Sequence, residues 1–437
     1  MPRRVLMISP HFPPDSTAGT HRVRLLAPRL REHGWEPTVL TVDPRDYTDR
    51  LDPALAASVP DDLHVVRQRA WPERVSRRFG VGDLGLRAFS GLRDAASRLL
   101  AAERFDAVFI TIYPAYPALL GPLLKRRFGV PFVLDYQDPW VGEWGRTVGG
   151  GADGRPDVKS RLTRFVAARL EPLALRAADA VTAVSSETYE QALARTPSAR
   201  PRGVAELPIG WDDRDAEFVS GAPSRVPSGD GCVHLSYVGT LLPTGTDTLR
   251  ALLGAVAALR RAQPSAAARL RLHFFGTSNQ RGDFAPDRVL PMARELGVGD
   301  AVTEHALRLD YFDALQVLRE STAVLLMGSR ERHYTPSKVF PALMAKRPLL
   351  AVFHEASSAT DLLRRVGGAP TIRLVSFDDA RPALAHGDEI AAQLQALAAD
   401  AEYRPGAVDL RVMNDVSASA LAGRLAGLLD RCVRTAA

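Results

Sequence analysis

Cysteine is nearly absent from this chain. Cys232 and Cys432 are the only two in 437 residues, isolated and without metal-ligand spacing. That excludes a disulfide framework and a zinc ribbon, and it leads us to expect a reducing cytoplasm. Long apolar runs are missing as well. The best one, AVFITIYPAYPALLGPLL, is broken by three prolines, where a membrane span needs roughly 18 apolar residues in a row. The N-terminal MPRRVLMISPHFPP has only about four consecutive apolar residues, too few for a signal-peptide core. No H-E-x-x-H, C-x-x-C or Walker loop occurs, which removes the commonest zinc-hydrolase, thiol-redox and P-loop readings. Lysine is scarce too. Lys125, Lys159, Lys338 and Lys346 are the four lysines among 56 basic residues. The net charge of +6 therefore rests on arginine spread along an Ala- and Arg-rich chain, and a nucleic-acid partner is not expected.

What is present is an ordinary globular balance, 46% apolar and 24% charged. The length suits two or three domains, each with its own core. RRVLMIS (3–9), EPTVLTV, DAVFITI, PFVLDY and DAVTAVS read as strands separated by helical stretches. The alternation restarts with VHLSYVG, LRLHFFG, AVTEHAL, TAVLLMG and PLLAVF. Between the two series, DDRDAEFVSGAPSRVPSGDG is polar and turn-rich. We therefore expect an α/β fold with two Rossmann-like doubly wound domains facing a central cleft. The first should span 1–212, followed by a linker at 213–231 and a second domain at 232–412. The final segment, 413–437, should be a helix folding back on the first domain. Ligands in such folds bind beyond the carboxyl ends of the strands.

The loops there carry the candidate chemistry. Gly19 and Thr20 lead into a helix with His21 and Arg22 in its first turn, a second free helix N-terminus or else a permissive turn. This first loop is not G-x-G-x-x-G. Strand PFVLDYQDPW ends in Asp135 and Asp138, followed by Pro139 and Trp140. A carboxylate there either holds sugar hydroxyls, acts as a base, or makes an Asx-type turn ahead of the proline. EWGRTVGGGADGRP (143–156) reads as a lid or acceptor loop. In the second half, Gly239 permits close backbone approach, with Thr240 and Thr244 beside it, and Gly276 ends another strand. HYTPSKVFPALMAKRPLLAV (333–352) reads as loop, helix and buried strand. Thr335 is the expected N-cap and Pro336 the first helical residue, so the N–H groups of Ser337 and Lys338 would meet a phosphate. Pro341, one turn in, should kink or delay that helix.

FPPDSTAGTHR, LREHGWEPTVLT, FDAVFITIYPAYPALLG, VLDYQDPW, ADAVTAVSSE, LPIGWD, LSYVGTL, LHFFG and YTPSKVFPALMAKRPLLAV follow one another over nearly the whole chain. In this order and spacing they resemble the GT-B glycosyltransferases, specifically glycosyltransferase family 4. The resemblance implies a nucleotide-sugar bound mostly by the second domain, an acceptor bound mostly by the first, and a retaining, metal-independent transfer with no cofactor beyond that co-substrate. It implies diphosphate contacts at Gly19, Gly239, Thr240, Ser337 and Lys338, and nucleotide contacts at Gly276, Glu331 and Arg330. Asp138 and His21 are the catalytic candidates; Asp135, Trp140 and Tyr113 are expected on the acceptor side. The chain also departs from the family. Many members have paired glutamates where His333 and Pro341 stand here, and cations after the Gly239 position where Thr240 and TLLPTGT stand. Glu331, Arg330 and Arg332 are the candidate substitutes.

The expected function is sugar transfer from a nucleotide diphosphate to a hydroxyl of a small-molecule, glycan or lipid-linked acceptor. Two alternatives stay open: a catalytically silent homologue acting as a binding or partner subunit, and a sugar-nucleotide epimerase or hydrolase using Asp135, Asp138 and His21. The stretch 71–100 mixes Trp71, Phe79, Leu84, Leu86 and Phe89 with arginines. It reads either as a peripheral contact with the inner face of the cell membrane or as an amphipathic helix on its own domain. Donor base, donor sugar, acceptor and oligomeric state are left open.

Overall fold

The computed structural model describes residues 2–48, 50–141, 158–219, 224–278, 284–329 and 337–434; side chains at 79 and 158–160 lie outside that description. The chain divides into two compact units, Met1–Asp212 with Val416–Ala437, and Asp213–Asp415.

In the first unit the apolar runs become β1 (Arg3–Ile8), β2 (Trp35–Val42), β3 (His64–Gln68), β4 (Ala107–Ile112), β5 (Phe132–Tyr136), β6 (Ala180–Ala183) and β7 (Val204–Glu206). They form one parallel sheet in the order β3-β2-β1-β4-β5-β6-β7. Helices cover both faces, so the central strands can be apolar throughout; every residue of β4 and β5 is buried. The connections reverse direction between β1 and β4, which makes the loops after those two strands the topological switch point.

The second unit holds β8 (Val233–Val238), β9 (Leu270–Phe275), β10 (Val302–His305), β11 (Ala323–Met327), β12 (Leu349–His354) and β13 (Ile372–Phe377). Their order is β10-β9-β8-β11-β12-β13, again parallel, with the switch point between β8 and β11. This is the Rossmann order.

The four edge strands, β3, β7, β10 and β13, lack the solid apolar run of their neighbours, and β3, β7 and β10 are half exposed along their length.

The C-terminal helix, Ala418–Arg434, belongs to the first unit. Leu421, Leu425 and Leu428 join Val23, Leu26 and Phe109 in one core. Asp430 receives Arg3 and, at 3.0 Å, the indole N–H of Trp35. The described part of 213–231 does not hang free as a linker. Tyr311 donates to Asp215 at 2.8 Å and Arg225 pairs with Asp313 at 2.8 Å, both inside the second unit. No helix of the described residues is long and apolar enough to cross a membrane.

Candidate functional site

Each unit carries a cluster of loop residues at its own switch point. In the second unit the cluster begins with strand register. Val238 of β8 lies opposite Phe275 of β9, so Gly239 and Gly276 follow side by side. Gly239 N–H donates to the Phe275 carbonyl at 2.8 Å, and Gly276 N–H to that of His305 at 2.8 Å. Gly239 has φ +130°, and a Cβ there would sit 2.3 Å from Cε of Lys338. Only glycine combines that backbone with a lysine stem against its face.

The lysine is held by neutral groups. Its Nζ donates to the Tyr237 hydroxyl at 3.0 Å and to the Thr240 carbonyl at 3.1 Å, and lies 4.9 Å from the Tyr237 ring centroid. Tyr237 itself donates to the Thr240 carbonyl at 3.0 Å, which fixes the phenol. An ammonium has three N–H donors; two are engaged among the described residues. Burial, and then the charge of Arg308, pushes Lys338 down to about 8. The site thus holds two cations and, among the described residues, gives Lys338 no carboxylate partner. An anion binding there would relieve both effects.

Arg308 is the residue that sequence reasoning missed. Its Cα lies 3.6 Å from where a Gly276 side chain would begin. It follows β10 in no recognisable motif, and it stands near the place of the cations absent after Gly239. Arg330, Glu331, Arg332 and His333, together with Thr335 and Pro336, lie outside the described residues. Ser337 is exposed in a turn before the helix.

The helix itself corrects an expectation. It spans Val339–Met344, with Lys338 rather than Thr335 as N-cap. Pro341 is thereby its third residue, where an N–H has no intrahelical acceptor to lose. Ala342 donates to the Lys338 carbonyl at 3.2 Å and Ala345 to that of Pro341 at 3.0 Å. The proline delays the helix without breaking it.

In the first unit, Gly19 sits before helix Thr20–Leu30, where a Cβ would lie 2.4 Å from Cδ1 of Tyr113 at the end of β4. Glycine is needed for the Tyr113 ring, which links the two switch-point loops. The helix start is not a free anion site, because Thr20 and His21 N–H already donate to Thr17 and Ala18 carbonyls at 3.1 and 3.3 Å.

Tyr113 lines a cavity of about 430 Å³ with Tyr116, Trp140, Thr163, Asp83 and Asp138. Trp140 and Tyr116 meet edge to face, centroids 6.0 Å apart. Burial raises the carboxyls of both Asp138 and Asp83 above the ordinary aspartate range. Asp83 also caps helix Leu84–Ala102, accepting from Leu86 N–H at 2.9 Å.

Two sequence candidates are placed elsewhere. Asp135 is fully buried and committed to structure: Arg22 Nε lies 2.9 Å away and Thr182 donates at 2.7 Å. It is one residue short of the end of β5 and points into the core rather than the cavity. His21 accepts from Arg24 Nε at 3.3 Å and does not line the cavity. The histidine beside Tyr113 is His11, centroids 5.4 Å apart, with Nδ1 paired to buried Asp15. Its sequence signal was the four-residue spacing in HFPPD, across a Pro-Pro turn.

Two parallel doubly wound sheets in one chain, each with a cluster of loop residues at its switch point, are the architecture of the GT-B glycosyltransferases. Solved structures of that architecture align over the full chain. An α,α-trehalose-phosphate synthase (UDP-forming) from Burkholderia vietnamiensis matches at 12% identity and TM-score 0.60, covering 100% of both chains. HepE from Anabaena, solved in complex with UDP-glucose, matches at 13% identity and TM-score 0.51, covering 99% of this chain and 98% of its own. At such identities the likeness is one of fold. Residues 17–210 match the family described as a glycosyl transferase 4-like domain. Residues 17–210 of the first unit therefore carry such a domain, within a chain of GT-B fold. No curated protein matches the chain.

Proposed function

We propose that the protein transfers a sugar from a nucleotide-diphosphate donor, held by the second unit, to a hydroxyl of an acceptor held by the first, with retention and without a metal. One observation carries this reading. Lys338 is wedged against Gly239, short of one hydrogen-bond acceptor among the described residues and repelled by Arg308. Charge develops on the leaving diphosphate as the glycosidic bond breaks. A fixed ammonium with a spare donor and a nearby guanidinium stabilise that charge without reorganising. The glycines let the diphosphate reach the backbone.

The test is thermal-shift and calorimetric binding of UDP, GDP, dTDP and ADP. UDP comes first, since structural neighbours are described with UDP-glucose or as UDP-forming. Nucleotide release that depends on an added acceptor separates transfer from hydrolysis. If none of the four binds, the silent-homologue reading takes over; Thr240 and Pro341, standing where relatives carry a cation and a glutamate, favour it.

We also infer a peripheral contact with an anionic lipid surface at residues 71–86. Trp71 and Val75 are 60% and 49% exposed, with Arg74 and Arg78 exposed between and beyond them. Leu84 and Phe89 of the same stretch face the core instead. Equal co-sedimentation with anionic and neutral vesicles would remove this contact.

A further inference from the structure

The cavity in the first unit is odd for this chain. The protein has 56 basic residues, yet no Lys, Arg or His is among the described residues lining the cavity. Its walls are Tyr113, Tyr116 and Trp140, with Pro114 and Pro139 between them, and the charged groups among the described lining residues are Asp83 and Asp138. Asp138 has no hydrogen bond or ion pair to any described residue. Asp83 spends one oxygen on the N–H of Leu86.

Each feature narrows the ligand. Aromatic faces suit the C–H face of a pyranose, whose axial hydrogens are the weakly positive side of the ring. Two carboxylates with no cation beside them among the described lining residues, and only His11 and Arg87 acting on Asp83 from outside that lining, repel a phosphate or carboxylate on the ligand. They attract an ammonium, which would also remove the burial penalty both carboxyls now carry. A neutral sugar would fill the aromatic walls but leave Asp138 uncompensated.

We propose that this cavity takes an amine-bearing acceptor sugar, its ammonium on Asp138 and Asp83 and its ring on Tyr116 and Trp140. The inference rests on the reading above that the first unit holds the acceptor. The amine is the handle and a hydroxyl remains the reacting group. Acceptors phosphorylated near this contact are selected against.

Ligand-observed NMR titration of the full chain tests it, with glucosamine, glucose, N-acetylglucosamine and glucose 6-phosphate as probes. Glucosamine should bind at least about tenfold tighter than glucose, the factor one charge-assisted hydrogen bond supplies. N-Acetylglucosamine, which keeps the nitrogen but not its charge, should lose that advantage. Asp138→Asn should close the gap between glucosamine and glucose. Asp83→Asn should narrow it while keeping the fold, since asparagine caps a helix as well as aspartate does. Equal binding of glucosamine and glucose, or preference for glucose 6-phosphate, overturns the proposal. The same samples are scored for UDP binding by thermal shift. UDP binding without amine preference sinks the amine inference and leaves the transfer reading standing. Amine preference with no nucleotide bound does the reverse.

Discussion

Each unit sets one cation among partners drawn from distant parts of the chain, and the two are treated in opposite ways. Arg22 in the first unit is 1% exposed, and its guanidinium meets the Asp135 carboxylate and the carbonyls of Leu207 and Pro208. Lys338 in the second has a phenol, a carbonyl and a like charge for company. A cation with a carboxylate partner ties helix Thr20–Leu30 to β5 and to the segment after β7. An under-compensated one is poised for an anion from outside. Burial alone does not distinguish structure from function here; the partner set does.

The largest effect should come from breaking the compensated side. Asp135→Asn leaves Arg22 buried without its counter-charge and should cost about 3–5 kcal/mol, read in the urea transition of the first unit. A loss under about 1 kcal/mol would show that Arg22 is not held as described. Lys338→Ala should do the opposite: little change in thermal stability, but a loss of about 1.5–3 kcal/mol in nucleoside-diphosphate affinity by calorimetry. Unchanged affinity takes Lys338 out of the site.

A gentler probe is pH. The Lys338 ammonium titrates at about 8 in the free protein against an ordinary 10.5, and a bound anion would raise it again. Affinity should therefore be flat below pH 8 and fall by at most about tenfold per unit above it. For the free protein the sign reverses. Between about 8 and 10.5 the unfolded chain holds the extra proton, so this group's contribution to stability grows with pH. Affinity that rises above pH 8 would contradict both statements. Smallest of all in binding terms, Asp138→Asn should leave nucleotide affinity within about 0.5 kcal/mol of the parent while lowering turnover. Full turnover would make Asp138 a turn residue.

The comparison also shows how far the sequence could be read. The central strands were legible because burial on both faces turns them into apolar runs; TAVLLMG needs no context to be a strand. The edges β3 and β7 were not, since half-exposed strands carry mixed residues. Gly239 and Lys338 were legible as a glycine at a strand end and a lysine in an arginine-biased chain. That they touch was not, because 98 residues separate Lys338 from Thr240. Asp135 misled for the same reason. A carboxylate near a strand's end looks functional until its partner, far back at Arg22, is in place. Arg308 and Asp83 were invisible, lying in loops and caps whose local residues have ordinary roles. The kink expected at Pro341 is absent because the helix starts three residues later, with Lys338 as its N-cap.

The assignment of helix Ala418–Arg434 to the first unit has a temporal meaning. That unit's core takes Leu421, Leu425 and Leu428 from a stretch of chain made after the whole of the second unit. The second unit, one uninterrupted segment, has all its residues before then. During synthesis the first unit must wait for helix Ala418–Arg434 while the second unit is already complete, reversing the usual order in which domains mature. A chain stopped at Asp415 is therefore expected to give a protease-resistant second unit and a protease-sensitive first one. Helix Ala418–Arg434 thus closes the core of the first unit only after the whole of the second unit has been made.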